Sequence, residues 1–343
     1  MSTDSQSLAG LRALYTDTEG LDCSLGIQAL EDAGISVTVL ETRDSDVITE
    51  QAQGVQALLV GYAPVTRHMI EQLPELRIIA LLSMGFDNVD VEAAREHGIW
   101  VTNILGAATE EVATHALALT LFATRGLGIY STNARDGRWN DRDTVVLPRL
   151  STQTLGLVGF GRIGQHFARI ARPLFSKIVA YDPFQQDSEA GKALELELGI
   201  RFVSLSQVQK EADVISLHMP LSEETTEIVN CEFLSGMKSG AYLVNVSRGA
   251  LIDENALINS VNTGHIAGAA LDALVTEPAD PSSAIMRNPR IFVTPHVGYL
   301  SGASEHDYVM MQAQNVLTYV QTGKPNTPVV LVDQPKRPVN TQN

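Results

Sequence analysis

The sequence predicts an α/β protein of two doubly wound, parallel-sheet domains, on three observations: apolar runs of strand length alternate with helix-like stretches, the alternation restarts midway, and the chain is long enough for two cores. In the first hundred residues LRALYTD, VTVLE, VQALLVGY, RIIALLSMG and IWVTNI are the strands, each closed by a polar residue or glycine. Strands separated by helices pair in parallel, because the crossover helices cover the sheet faces. EEVATHALALTLFATRGL, apolar on nearly every side, predicts a buried helix with Thr109 as N-cap and Glu110 and Glu111 in its first turn. The polar stretch STNARDGRWNDRD separates it from the second series, which starts at Gln153 with TLGLVGF, KIVAYD, DVISLHM, AYLVNVS, GAALDAL and IFVTPH as strands. One more helix runs from Gly302 to about Tyr319, ahead of a proline-rich polar tail.

Composition narrows the function classes. A net charge of −16 argues against a nucleic-acid surface, which needs clustered Lys and Arg, and means that an anionic small substrate must be held by a local cation. No run of apolar residues reaches the roughly 18 of a membrane span, and the N-terminus MSTDSQSLAG is not a basic-then-apolar leader. The two cysteines, Cys23 and Cys231, lie far apart without metal-ligand spacing, so neither a disulfide framework nor a metal site is expected. A cytoplasmic protein is the expectation.

The second series opens on a phosphate-binding signature. Gly159, Gly161 and Gly164 form a G-x-G-x-x-G between an apolar strand and a helix whose apolar positions are Ile163, Phe167, Ile170 and Leu174. The first glycine permits the tight turn, the second lets backbone amides approach a pyrophosphate, and the third lets helix and strand pack closely. A merely tight turn would explain one glycine and not three. The next strand ends at Asp182, 18 residues beyond Gly164, near the roughly 20 expected of the acid that bonds the ribose hydroxyls. A carboxylate there repels a 2′-phosphate, so this Rossmann-like domain should take NAD rather than NADP.

Three later strands end in ionisable side chains: Arg248 after AYLVNV, Glu277 after GAALDAL, and His296 after IFVTP. In a parallel sheet these ends share one edge with the glycine loop. Reduction of a 2-keto acid needs a cation for the carboxylate and carbonyl, which Arg248 offers as a planar fork, and an acid for the new alkoxide, which His296 offers. Glu277 could hold that imidazole in one tautomer and favour its protonated form. Each residue alone reads as readily as a cap, a loop acid or a core histidine; the three in this order behind a dinucleotide loop do not.

Over roughly residues 50 to 330 the sequence resembles the D-isomer-specific 2-hydroxyacid dehydrogenases, in SMGFDNVDVEAAREHGIWVTN, GAATEEVATHAL, LGLVGFGRIG, HMPLSEETTEIVN, MKSGAYLVNVSRGALIDENAL, GAALDALVTEP and TPHVGY. The resemblance implies Arg248, Glu277 and His296 as catalytic residues. It implies cofactor contacts from Thr109, Arg162 and Ile163, His218 and Pro220, Thr225, Val246 and Ser247, with Asp272 near the carboxamide end. Backbone amides around Met84 and Gly85 are implied to bind the substrate carboxylate, beside Arg248 and His296. It also implies that a flavodoxin-like substrate domain, 1–104 with 298–334, is split by an inserted NAD-binding domain, 105–297, leaving 335–343 as a flexible tail. A homodimer through the cofactor domain is implied, and the apolar helix after Thr109 with the arm containing Trp139 would suit that contact.

Within this resemblance, formate-oxidising relatives carry glutamine where Glu277 stands, which argues against formate. Phosphoglycerate-oxidising relatives carry an arginine in the loop after the third strand, where Gly61 and Tyr62 stand, so a phosphate would lack its cation. Ser83 replaces a usual glycine, and Met84, Phe86, Tyr299 and Leu300 suggest a pocket for an uncharged substituent. VTPHVGYLSGAS and YDPF are also similar to the C-terminal-binding-protein branch. The rival reading is therefore a dinucleotide-sensing regulatory protein with little turnover.

Overall fold

A computed structural model of the chain describes residues 10–139, 147–329 and 332. The chain divides into two units, Met1–Ala107 with Ser301–Asn343, and Ala108–Leu300. The breaks thus fall after 107 and 300, where the sequence suggests 104 and 297. The tail 335–343 lies outside the described residues.

The first unit is built on β1 (Arg12–Tyr15), β2 (Ser36–Val39), β3 (Ala57–Val60), β4 (Ile78–Leu81) and β5 (Trp100–Thr102), paired in parallel in the order β2-β1-β3-β4-β5. β3 and β4 are buried at every residue, as strands covered on both faces must be, and the edge strand β2 is mostly exposed. Leu58, Val60, Ile79, Leu81 and Val101 pack with Ile48, Met69 and Ile70 of the flanking helices. The helix Gly302–Thr322 closes the unit; its buried Gln312 donates Nε2 to Ala80 O at 2.9 Å, and Asn315 Oδ1 accepts the backbone N–H of Thr327.

The second unit is a seven-stranded parallel sheet: β6 (Thr154–Val158), β7 (Lys177–Tyr181), β8 (Arg201–Phe202), β9 (Val214–Leu217), β10 (Ala241–Asn245), β11 (Ile266–Leu271) and β12 (Ile291–Val293), in the order β12-β11-β10-β9-β6-β7-β8. Strand order reverses between β6 and β9, which makes the end of β6 the switch point where α/β sheets open a ligand crevice. Apolar clusters cover both faces. β8, two residues long, carries too short a pattern to be read from sequence.

Two expectations need correction. The N-cap of the helix Thr109–Thr124 is Ala108, and no side chain caps it; Thr109 is the first helical residue. The polar stretch after it is not all loop, because the helix Leu127–Arg135 includes Ser131 to Arg135. Gly126, at φ 60°, breaks the first helix, and nothing in the polar run opposes a second until Gly137 at φ 77°. Val112, Ala113, Ala116 and Leu119 are the buried face of the first helix, which packs on β10, β11 and the helix Arg162–Ala171 of its own unit. No single described helix is long and apolar enough to cross a membrane.

Candidate active site

The glycine loop follows β6 and is held from two sides. Gly159 donates its N–H to Tyr181 O at 2.8 Å, and His218 N bonds Val158 O at 2.7 Å. Gly159 has φ 92°, and a Cβ there would lie 2.5 Å from the His218 carbonyl; at Gly164 it would lie 2.7 Å from Gly159 O. Only glycine fits either position. At Gly161 a Cβ would meet nothing within 4 Å, so that side of the turn is open. Gly161 is also the N-cap of the helix Arg162–Ala171, and no side chain caps this terminus. An open, uncapped helix start facing away from packed neighbours fits a pyrophosphate, whose oxygens can take the bonds a capping side chain would otherwise make. Leu174, expected in the helical pattern, lies beyond the helix end.

Asp182, after β7, ties this loop to its own turn: Oδ2 accepts Phe160 N at 2.8 Å, and Oδ1 accepts Phe184 N and Gln185 N. His218 turns its ring inward, where Nε2 pairs with Ser216 Oγ at 2.9 Å and the ring lies 5.2 Å from that of Phe167. Its backbone, not its ring, flanks Gly159. Pro220 is exposed, and Thr225 uses its hydroxyl in the local turn, accepting Ser222 N and donating to Pro220 O.

Arg248 follows β10 in a turn organised by a residue the sequence reading missed. Asn245, fully buried, accepts Ser247 N at 3.0 Å and donates Nδ2 to Arg248 O at 2.8 Å, while Ser247 Oγ donates to Leu217 O on β9. Val246 is half-buried against the core. The next residue, Gly249, lies against the backbone of Leu274 and Val275, so the loops carrying Arg248 and Glu277 touch. Glu277 Oε1 accepts Leu274 N at 2.9 Å and Oε2 pairs with His296 Nδ1 at 2.8 Å. Burial pushes the Glu277 carboxyl up, but its bonds from His296 and Leu274 and the nearby charges of His296 and Arg248 outweigh burial and hold it below the usual carboxylate range. The His296 side chain keeps 23% of its surface exposed, enough to meet a reactant.

Asp272, after β11, is buried and accepts Thr294 Oγ1, Val297 N and Gly298 N. His115, absent from the sequence reading, reaches the same carboxylate from the helix after Ala108. A lone histidine inside a helical apolar run carries no signal that would have marked it. Met84 and Gly85 belong to the first unit, beyond β4; Met84 O accepts Asn103 Nδ2 at 2.8 Å and Gly85 O accepts Ser83 Oγ at 2.7 Å. In that unit the loop after β3 is held by Asp17, which accepts the N–H groups of Gly61, Tyr62 and Ala63. Arg43 lies over the Tyr62 ring, 5.4 Å from its centroid, a cation the sequence did not place there; Glu19 pairs with it, and Asp17 is 3.7 Å away.

The profile of the D-isomer specific 2-hydroxyacid dehydrogenase NAD-binding domain matches residues 117–298. A glyoxylate reductase of Korarchaeum cryptofilum is 35% identical over 80% of this chain and 82% of its own. A hydroxypyruvate reductase of Thermotoga maritima is 37% identical over 75% of this chain and 82% of its own. Among solved structures, D-lactate dehydrogenase from Aquifex aeolicus, complexed with NAD and lactic acid, superposes with a TM-score of 0.83 at 27% identity, covering 93% of this chain and 99% of that one. These likenesses carry the enzymatic reading and not the regulatory one. The chain therefore belongs to the D-isomer-specific 2-hydroxyacid dehydrogenase family, as an NAD-dependent oxidoreductase that interconverts 2-keto acids and D-2-hydroxy acids.

Proposed function

We propose that Arg248 binds and polarises the 2-keto acid while His296, held by Glu277, supplies and recovers the proton. The observation that carries this is the 2.8 Å bond between His296 Nδ1 and Glu277 Oε2, at the same sheet edge as the glycine loop and with Arg248 near enough to stabilise the Glu277 charge. An ionised Glu277 accepts the Nδ1 proton, so Nε2 is the nitrogen that exchanges a proton with substrate. NAD, when bound, supplies the hydride chemistry. The Arg248 fork pairs with the carboxylate and draws charge toward the keto oxygen; His296 protonates that oxygen as it becomes an alkoxide, and takes the proton back in oxidation.

In this reading the second unit is the cofactor domain. Gly159, Gly161, Arg162, Ile163 and Gly164 cradle the pyrophosphate, Asp182 takes the ribose, and Thr109, the His218 backbone, Pro220, Thr225, Val246, Ser247 and Asp272 line the rest of the crevice. For the substrate carboxylate this reading takes the amides at Met84 and Gly85: within the first unit the Met84 carbonyl is held by Asn103, and the planar trans peptide points the Gly85 N–H the opposite way. Since Arg43 is already paired with Glu19, no unpaired cation among the described residues awaits a phosphate at the Tyr62 loop, and a small 2-keto acid with an uncharged substituent is the proposed substrate. Relatives named for glyoxylate and hydroxypyruvate support that size. Two unpaired cysteines, Cys23 and Cys231, support a reducing compartment, the cytoplasm.

The test is NADH consumption with a panel of 2-keto acids, from glyoxylate and hydroxypyruvate to pyruvate and branched or aromatic analogues. Turnover of the small members is expected, and His296→Ala should lower it by about 10²–10⁴-fold with NADH affinity nearly unchanged. Undiminished turnover in that variant would remove His296 from the mechanism.

A further inference from the structure

His115 has no part in the chemistry above, yet its Nε2 lies 3.2 Å from Asp272 Oδ1 and 3.1 Å from Thr294 Oγ1. Asp272 is 3% exposed, and it draws its donors from both sides of His296: Thr294 Oγ1 at 2.6 Å before it, Val297 N at 3.0 Å and Gly298 N at 2.8 Å after it. His296 itself has φ 54°, the left-handed region that a side-chain-bearing residue enters only when its surroundings over-determine it. One carboxylate therefore grips the chain on either side of a strained residue. Gly298 completes the fit, because a Cβ there would stand 2.7 Å from Asp272 Oδ2 and 3.2 Å from His115 Cδ2.

The donors can be assigned. Thr294 has one hydroxyl hydrogen and spends it on Asp272, leaving its oxygen as an acceptor. His115 Nε2 thus faces two acceptors and carries a hydrogen. Burial raises the Asp272 carboxyl, and the bonds from His115, Thr294, Gly298 and Val297 more than reverse this, so the acceptor is an anion.

We propose that His115 and Thr294 are positioning residues for the reaction, acting through Asp272 as a clamp that holds His296 in its left-handed conformation and so keeps its ring in register with Glu277. The inference rests on His296 being the acid and base. It separates the work of the residues near it: Glu277 sets the imidazole's tautomer, and the Asp272 clamp sets the backbone from which the imidazole hangs.

Thr294→Val removes the hydroxyl and keeps the shape; His115→Phe removes the ring N–H and keeps the bulk. Each should lower kcat for keto-acid reduction by about 10- to 100-fold, the effect of a reacting group displaced by about an ångström. The solvent deuterium isotope effect on kcat should rise as proton transfer becomes limiting, while Kd for NADH stays close to wild type and Tm falls by only a few degrees, the cost of one bond lost to a buried carboxylate. Thr294→Ser and His115→Gln, which restore a hydroxyl and an N–H at the same reach, should recover most of the rate. His296→Asn is measured beside them. If it leaves turnover intact, the assignment of His296 is wrong and the clamp goes with it. If it abolishes turnover while Thr294→Val and His115→Phe keep wild-type kcat and isotope effect, the assignment of His296 stands and the clamp alone is refuted. A rate loss that Thr294→Ser and His115→Gln do not restore, or that follows NADH affinity, equally refutes the clamp.

Discussion

His218 shows how one buried ring couples this fold to pH. The residue is half-buried, but its Nδ1 is enclosed without a hydrogen-bond partner, and burial pushes the imidazole down from 6.5 to about 3. The folded protein therefore keeps this ring neutral where the unfolded chain takes up a proton. Its contribution is complete above the ordinary value of 6.5 and is lost as pH falls toward 3. Between pH 7.5 and pH 5 the loss is about 2 kcal/mol. His218→Gln cannot titrate, so its urea-unfolding stability should fall less than the wild type's over that interval, by up to that amount. Equal falls would show that the ring is protonated in the folded state. Glu277 has the opposite disposition: it is held ionised by His296, Leu274 and Arg248 against its burial, so it remains an acceptor throughout the neutral range.

At the scale of elements, the site depends on how closely the loops after β10, β11 and β12 approach one another. Gly249 is the contact point, since a Cβ there would sit 1.9 Å from the carbonyl carbon of Leu274. Backbone, not a flexible side chain, would have to move. Gly249→Ala should cost about 1–3 kcal/mol of stability and reduce kcat by parting Arg248 from Glu277, read by Tm and steady-state rates. Gly161→Ala is the contrasting case. Nothing lies within 4 Å of the added carbon, so Tm should hold, while Kd for NADH rises because the carbon intrudes where the pyrophosphate approaches. A Gly161→Ala protein that binds NADH normally would argue against the cradle.

At the scale of the molecule, the cofactor unit carries a feature its own fold leaves unused. A cavity of about 580 Å³ opens at the beginnings of β10, β11 and β12, lined by Phe122, Ile129, Tyr242 and Phe292 with Asn133 and Arg290. It lies at the opposite end of the strands from the glycine loop. Trp139, 80% exposed, follows Arg138 of the same lining, and residues 140–146 of its arm lie outside the described residues. An apolar hollow beside an exposed tryptophan supports a homodimer in which each copy fills the other's. Sedimentation should give twice the 37.1 kDa of one chain, and Trp139→Ala or Ile129→Glu should shift it toward the monomer. A monomeric wild type at micromolar concentration would refute the dimer.

The fold and the chemistry were legible because both rest on local pattern. Periodicity marks eleven of the strands, and parallel pairing then puts Arg248, Glu277 and His296 on the glycine loop's edge. Residues whose work is only geometric left no such trace. His115 and Thr294 act through bonds to a partner remote in sequence, as when His115 meets Asp272 across 157 positions, and Asn245 ties a turn whose shape no periodicity records. His296 looks the same in one dimension whether its φ is positive or negative. By itself the amino-acid order determined which groups stand at which strand ends. Tertiary structure alone decided which of them touch, because a hydrogen bond is a matter of ångströms and angles that close only when distant strands pack.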